Sequence, residues 1–396
     1  MERKQLLVAA AAIRPWLVER RRAFHRLPEL GNEERQTADA IAAVLDSLGV
    51  RHTRRGTAIV GLLESGTPGP VVAVRADMDA LPLQEPGGRD YGSTIPGAMH
   101  ACGHDAHMTI ALGAARLLSE RRREWSGAVK FLFQPAEESS GGAEDMVASG
   151  CMENPRVERV IGLHVMPYLP VGTIEVKKGA LNGASASLDI TVRGKSAHGA
   201  YPEQGIDAIL IAANVVLSLN TLVSRYVSPL EQAVLTIGTI AGGSRANIIA
   251  GEVRMSATLR TTSAALQETL VARSRALVEG IARGFGGSGS LEFESGYAAL
   301  INDPDVTDLI ASRALDLLGP DSVRWKEKPS MGVEDFSFFN QAARGAFYHL
   351  GCGNPAQGIT APLHSPDFDL DEDCLPLGAA LQAALILDLI EDCCRG

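Results

Sequence analysis

The sequence predicts an α/β protein with a largely parallel sheet, interrupted by a smaller α+β segment. Residues 71–74 are a short, continuously apolar run, and 128–133 and 157–163 are similar, largely apolar runs, as expected of strands covered on both faces. Helical stretches alternate with them, notably 108–118, and that alternation specifies a parallel sheet with crossover helices. Beyond residue 183 the texture changes. Leu188, Ile190 and Val192 alternate with polar residues, the pattern of a strand with one wet face.

The remaining elements follow from periodicity. Arg3 and Lys4 precede an apolar stretch over 6–13, but Arg14 and Pro15 interrupt it and Trp16, Leu17 and Val18 resume it. We read an amphipathic first helix there and not a cleaved leader. Residues 33–48 form a helix with Ile41, Val44, Leu45 and Leu48 on one face and Gly49 as its stop. Residues 234–240 and 252–259 alternate like 188–192, and 206–222 and 264–282 are helical. The Gly-rich stretch 284–289 reads as a turn near the end of this segment. The order strand, helix, strand, strand, helix suggests helices covering one face of an antiparallel sheet.

Bulk properties limit the function classes. The chain has 396 residues, 45% of them hydrophobic, and a net charge of -10 from 37 basic and 47 acidic residues. Such an acidic chain disfavours nucleic acid and anionic membrane as partners, and no apolar run was expected to span a bilayer. Six irregularly spaced cysteines do not make a disulfide framework, so a reducing, cytoplasmic setting is expected.

Four features carry chemistry. His100-Ala101-Cys102-Gly103-His104-Asp105-Ala106-His107 packs three His, one Cys and one Asp into eight residues. Neutral imidazole and thiolate suit zinc and neighbouring transition metals, although any single His here could equally be a satisfied polar residue. Glu137 and Glu138 follow an apolar run directly. One carboxylate of such a pair can bind metal while the other handles a proton, yet paired glutamates commonly sit in solvent. His164 ends a further buried run, and Leu363-His364-Ser365-Pro366 lies far away in sequence. In open α/β sheets reactive groups collect beyond the carboxyl ends of the strands, which joins Glu137, Glu138 and His164 into one site.

The ordered motifs resemble those of the M20 metallopeptidase family, most closely its amidohydrolase branch of hippurate, auxin-conjugate and N-acetyldiaminopimelate hydrolases. The resemblance runs from Arg22–Leu30 through Arg75-Ala76-Asp77-Met78-Asp79, the 100–107 cluster, 134–138, 162–165, Lys195-Ser196-Ala197-His198 and Gly332-Val333-Glu334-Asp335-Phe336 to 363–366. It implies a two-metal catalytic domain from residues 1–183 and 295–396, with a smaller dimerisation, or lid, domain inserted at 184–294. It implies two divalent metal ions per subunit, with zinc, manganese, nickel and cobalt all open. The implied ligands are Cys102, His104, Glu138, His164 and His364, with Glu137 as general base. Other branches carry a His-x-Asp motif where this chain has Asp77-Met78-Asp79. Here the Cys-Gly-His unit supplies ligands instead, with Cys102 able to bridge two metals, and Asp77 and Asp79 become residues that orient ligands. His100, Asp105 and His107 are left as orienting or structural groups.

The resemblance also implies that His198 polarises the scissile carbonyl, from its own or a partner subunit. It implies that Asn247 contacts substrate and that Glu334 and Asp335 support the metal site. Arg260 is a candidate for binding a carboxylate, with an exposed salt bridge as its alternative. The expected activity is hydrolysis of a small N-acyl amino acid by a homodimer assembled through the inserted domain. The alternatives are an N-acetyldiaminopimelate deacetylase or dipeptidase, a thiol hydrolase using Cys102 and a His, and a non-catalytic metal-stabilised binding protein.

Overall fold

The computed structural model describes residues 2–395. The chain divides into two compact units. One comprises the chain up to Gly179, Ile301–Glu327 and the chain from Phe338; the other comprises Ala180–Leu300 and Lys328–Ser337. The second unit is thus wider than the expected 184–294, and it takes in a short later segment that includes Glu334 and Asp335.

The first unit is built on an eight-stranded sheet. Its order is Arg51–Arg55, Ala58–Glu64, Ala128–Gln134, Val71–Asp77, Arg159–Pro170, Arg344–Gly353, Ile174–Val176 and Val323–Trp325. The four central strands, from Ala128–Gln134 to Arg344–Gly353, run parallel, and antiparallel pairings flank them. Val71–Asp77 and Ala128–Gln134 are buried along their whole length, which is why they read as predominantly apolar runs. The strand expected at 157–163 runs over Arg159–Pro170 and therefore carries His164 within it.

Helices cover the sheet. His104–Ser119 packs on Cys374–Cys393, and both are buried nearly all round. Small residues make their approach close. A Cβ on Gly113 would lie 2.8 Å from the Ala379 side chain, and one on Gly378 would lie 2.8 Å from Ile110 and Leu350. Lys4–Ala12 and Arg14–Arg26 bury Leu6, Ala10 and Leu17 in the same core.

Among the described residues two helices, Ala208–Tyr226 and Cys374–Cys393, are long and apolar enough to cross a membrane by length and composition, contrary to the expectation of none. For Cys374–Cys393 the reason is core burial. A helix wedged between other helices and a sheet is apolar on every side.

The second unit holds a four-stranded antiparallel sheet, ordered Ser288–Ser295, Ala184–Arg193, Glu252–Thr261 and Ala233–Gly242. Ala208–Tyr226 and Ala264–Gly284 cover one face, burying Leu188, Ile190, Ile211, Val215, Leu259 and Leu270. Alternating burial along Ala184–Arg193 is the expected period of two. Ser288–Ser295 was not foreseen. It is a mostly exposed edge strand with Leu291 as its one buried residue, so it lacks the apolar alternation that marks the others.

Candidate metal centre and active site

The site is assembled from segments that follow the central parallel strands. Asp77 ends Val71–Asp77, and Glu137 and Glu138 lie in the turn beyond Ala128–Gln134. His104 opens the helix His104–Ser119, directly after Gly103, whose φ is +86°. Gly is needed there twice over. Its backbone is left-handed, and a Cβ would meet the Val165 side chain at 2.4 Å. His364 reaches the cluster from the far end of the chain because its backbone N–H donates to the Ala101 carbonyl at 2.9 Å.

Donor atoms converge in overlapping sets. Within each set the donors lie no more than 4.8 Å apart. Three of these sets are Cys102, His104 and His164; Cys102, Glu138 and His364; and His104, Glu137 and Glu138. Cys102 belongs to the first two. Its Sγ lies 3.2 Å from His164 Nε2, and His364 Nε2 lies 3.0 Å from Glu138 Oε1. The five residues expected as ligands therefore share one place, with Glu137 beside them.

Hydrogen bonds orient the rings. His104 Nδ1 donates to the Asp79 backbone oxygen at 2.8 Å and faces its carboxylate at 3.2 Å. In the neutral ring, the form that binds metal, this leaves the lone pair on Nε2, which is buried and has no hydrogen-bond partner among the described residues. His164 Nδ1 donates to its neighbour Val165 O at 2.7 Å, so its Nε2 lone pair faces Cys102. Such outward bonds fix which ring nitrogen is presented to a metal. Asp79 also accepts the Glu138 backbone N–H at 2.9 Å, tying two expected ligands to one carboxylate. His107 is different. Its Nδ1 faces Asp77 at 2.6 Å and its Nε2 accepts from the Val165 N–H at 2.9 Å. Both nitrogens are committed, and the ring acts as a strut between neighbouring strands.

Charge is organised around Asp77. Burial works against its ionisation, but Arg75, followed by His104 and His107, holds its carboxyl well below the usual range. Arg75 is itself buried, donating to Asp77 at 2.6 Å and to Gln134 at 2.8 Å. Burial pushes the Cys102 thiol well up and the His164 imidazole well down. Burial would raise Glu138 too, yet the hydrogen bond with His364 and the charge of His104 bring it to about 2.

This donor set fits divalent transition metals. It offers three imidazoles, a sulfur and a carboxylate, and it contains a buried nitrogen with no hydrogen bond among the described residues. Two non-glycine residues with left-handed backbone flank the chemistry, Ala136 at φ 58° and His364 at φ 62°. Such conformations cost free energy and persist where surrounding structure enforces them.

Asp105 turns away from the cluster to Arg21 at 2.8 Å and His25 at 2.8 Å. His100 is buried, and burial lowers its imidazole to about 4. His198, Asn247, Arg260 and Asp335 belong to the second unit. There His198 and Asn247 are exposed, Arg260 is half-buried and Asp335 is buried. The His198 Nδ1 accepts the Ala200 N–H at 3.1 Å.

Sequence reasoning gave no role to Arg75, although it stands in a motif quoted above. An arginine in an otherwise apolar strand was the available signal, since a buried guanidinium needs a carboxylate partner. Glu34 was missed altogether, and it lies in a stretch whose texture is that of an ordinary helix start.

Donors of this kind, gathered beyond a parallel sheet, define a metal-dependent hydrolase. The chain belongs to peptidase family M20/M25/M40, which residues 73–388 match, and it is a metal-dependent hydrolase of amide bonds. It is 38% identical over 381 residues to the probable hydrolase sll0100 of Synechocystis sp., covering 96% of each chain. It is 38% identical to the IAA-amino acid hydrolase ILR1-like 4 of Arabidopsis thaliana, over 93% of this chain and 84% of that one. Among solved structures, the Bacillus subtilis YXEP protein, a dinuclear metal-binding peptidase of the M20 family, matches with a TM-score of 0.85 and 30% identity, over 96% of this chain and 99% of that one.

Proposed function

We propose that the chain hydrolyses N-acyl amino acids to a carboxylic acid and a free amino acid, using two divalent metal ions. The observation that carries this reading is the sharing of Cys102 between two donor sets, one completed by His104 and His164 and the other by Glu138 and His364. A thiolate has lone pairs enough to serve two ions. The name of the Arabidopsis relative, an IAA-amino acid hydrolase, supports the substrate class.

When bound, the ions would polarise the substrate carbonyl and acidify a water molecule. Glu137 takes the proton from the attacking water and passes it to the departing amine, so a single carboxylate serves as base and then as acid. His198 accepts from the Ala200 amide through Nδ1, which puts the proton on Nε2 in the neutral ring. That N–H is the donor a developing oxyanion requires. Asn247 and Arg260 would hold the amino acid portion, with the Arg260 guanidinium matched to its carboxylate.

A thiol mechanism fits less well. A nucleophilic Cys–His pair works as thiolate and imidazolium, whereas burial pushes the Cys102 thiol up and the imidazole of His164, 3.2 Å away, down.

The active form in this reading is a homodimer assembled through the second unit. Ala208–Tyr226 leaves Leu210 and Leu217 exposed, at 50% and 70%, and the edge strand Ala233–Gly242 leaves Ile240 58% exposed. An apolar helix face beside an open strand edge is a surface that a second copy would cover.

The test is metal analysis of the purified protein together with a screen of N-acetyl, N-benzoyl and indoleacetyl amino acids, N-acetyldiaminopimelate and dipeptides. Chelation should abolish hydrolysis, and zinc, manganese, nickel or cobalt should restore it. Hydrolysis that survives complete metal removal would sink the reading. Turnover of dipeptides alone would move the substrate class.

A further inference from the structure

Glu137 and Glu138 are adjacent in sequence, yet both bring carboxylate oxygens within 4.8 Å of the same His104 nitrogen. An extended strand would point neighbouring side chains to opposite faces. The chain escapes that alternation by leaving the strand Ala128–Gln134 through Pro135 and placing Ala136 at φ 58°, after which Glu137 begins a turn. The left-handed conformation of a single alanine is therefore what lets two consecutive carboxylates serve one site. Alanine has no intrinsic preference for it.

The neighbouring turn at residues 30–34 holds that conformation. Glu34 is fully buried, and its Oε1 accepts the Ala136 backbone N–H at 2.9 Å. Gly31 presses against the same residue, where a Cβ would lie 3.1 Å from Ala136 Cα and 2.2 Å from the Ser139 hydroxyl. Asn32 donates to the Ser140 hydroxyl at 2.9 Å. The brace is anchored in turn, because the Ala80 N–H donates to the Glu29 carbonyl at 2.8 Å, beside the Asp79 that holds His104 and Glu138.

We propose that Glu34 is a positioning residue for the general base: its buried carboxylate fixes the strained Ala136 peptide and so aims Glu137. This rests on the reading of Glu137 as base. Glu138 has its own tether, the bond from its N–H to Asp79, so Glu34 acts on proton transfer and leaves metal retention alone. Glutamine keeps a carbonyl oxygen at the same reach. Alanine leaves the Ala136 N–H buried without an acceptor, and aspartate is one methylene short.

The experiment compares Glu34→Ala, Glu34→Asp and Glu34→Gln, each in the wild-type and the Glu137→Gln backgrounds, with the zinc-loaded full chain. Glu34→Ala and Glu34→Asp should lower kcat by roughly ten-fold or more, on the scale of a misplaced catalytic group. KM and metal content should stay near wild type, and Glu34→Gln should retain most of kcat. In the Glu137→Gln background the same Glu34 changes should cost no more than about two-fold, since residues acting as a unit are not additive. Equal losses in both backgrounds, or metal lost in step with activity, would overturn the proposal. So would wild-type kcat in Glu34→Ala. Should Glu34→Ala fail to fold, the Asp and Gln variants decide by the same criteria. Near-normal turnover in Glu137→Gln by itself would instead remove the reading of Glu137, a result distinguishable from any of these.

Discussion

Cys102 Sγ and His164 Nε2 lie 3.2 Å apart, although 62 residues separate them in the chain. Cys102 forms no disulfide, and all six cysteines are free. With Cys102 as a metal-bound thiolate, thiol labelling at this position should be slow in the metal-loaded protein and faster after chelation. Cys394, which is exposed, should label in both states. Mass spectrometry of labelled peptides reads both sites, and equal Cys102 labelling with and without metal would remove it from the ligand set.

The two adjacent glutamates should separate cleanly by substitution. Glu137→Gln should keep its metal and lose kcat by about 100-fold or more, the usual scale for a positioned proton-transfer group. Glu138→Gln should lose metal, because its carboxylate lies in the set with Cys102 and His364. Elemental analysis beside steady-state kinetics distinguishes them, and equal metal loss in both would leave their roles unassigned.

Dimerisation through the second unit makes a prediction about mixing. Glu137→Gln and His198→Ala are each expected to be strongly impaired. If His198 serves the partner's site, a random mixture places half the protein in mixed dimers with one intact site in each. About a quarter of wild-type sites would return under two-fold symmetry. Demonstrated exchange with no recovery would place His198 in its own subunit's site or outside catalysis. Leu217→Asp should shift the protein toward monomer by sedimentation, given its 70% exposure on the apolar helix.

Stability at low pH should depend on Glu85. Burial alone would raise its carboxyl, but His25, the Ser93 amide and Arg89 bring it from its ordinary 4.5 to about 2. A depressed carboxyl contributes stability that is full above the unfolded value and is lost as pH falls through the folded one. The stability gap between wild type and Glu85→Gln should therefore be constant from about pH 4.5 up to the pH at which His25 loses its proton, and narrow as pH falls toward about 2. Urea titrations across that window read the gap directly, and a gap that stays constant down to the lower limit would contradict the assignment. His25, whose imidazole is raised by Asp105 and Glu85 against burial and Arg21, works in the opposite sense. Its contribution is full below its unfolded value and is lost as pH rises through the folded one.

The central strands were legible because burial on both faces leaves little but apolar residues in them, as in Val71–Asp77 and Ala128–Gln134. The second unit's sheet was legible through its alternation, except for Ser288–Ser295, whose single buried leucine carries no period. The cluster at residues 100–107 announced metal-ligand chemistry by composition, and its motifs fixed the family. What composition could not do was divide the labour within the cluster. His104 and His107 stand three residues apart on one helix, and both face the carboxylates at the strand ends. Only the surrounding backbone decides between them. The Val165 N–H occupies His107 Nε2, while no hydrogen bond among the described residues engages His104 Nε2. The same holds for Glu34, whose importance lies in one peptide N–H of Ala136. Residue type and spacing determine which groups are available. Which lone pair remains open, and which backbone is held under strain, depends on contacts between distant segments, and those exist only once the chain has folded.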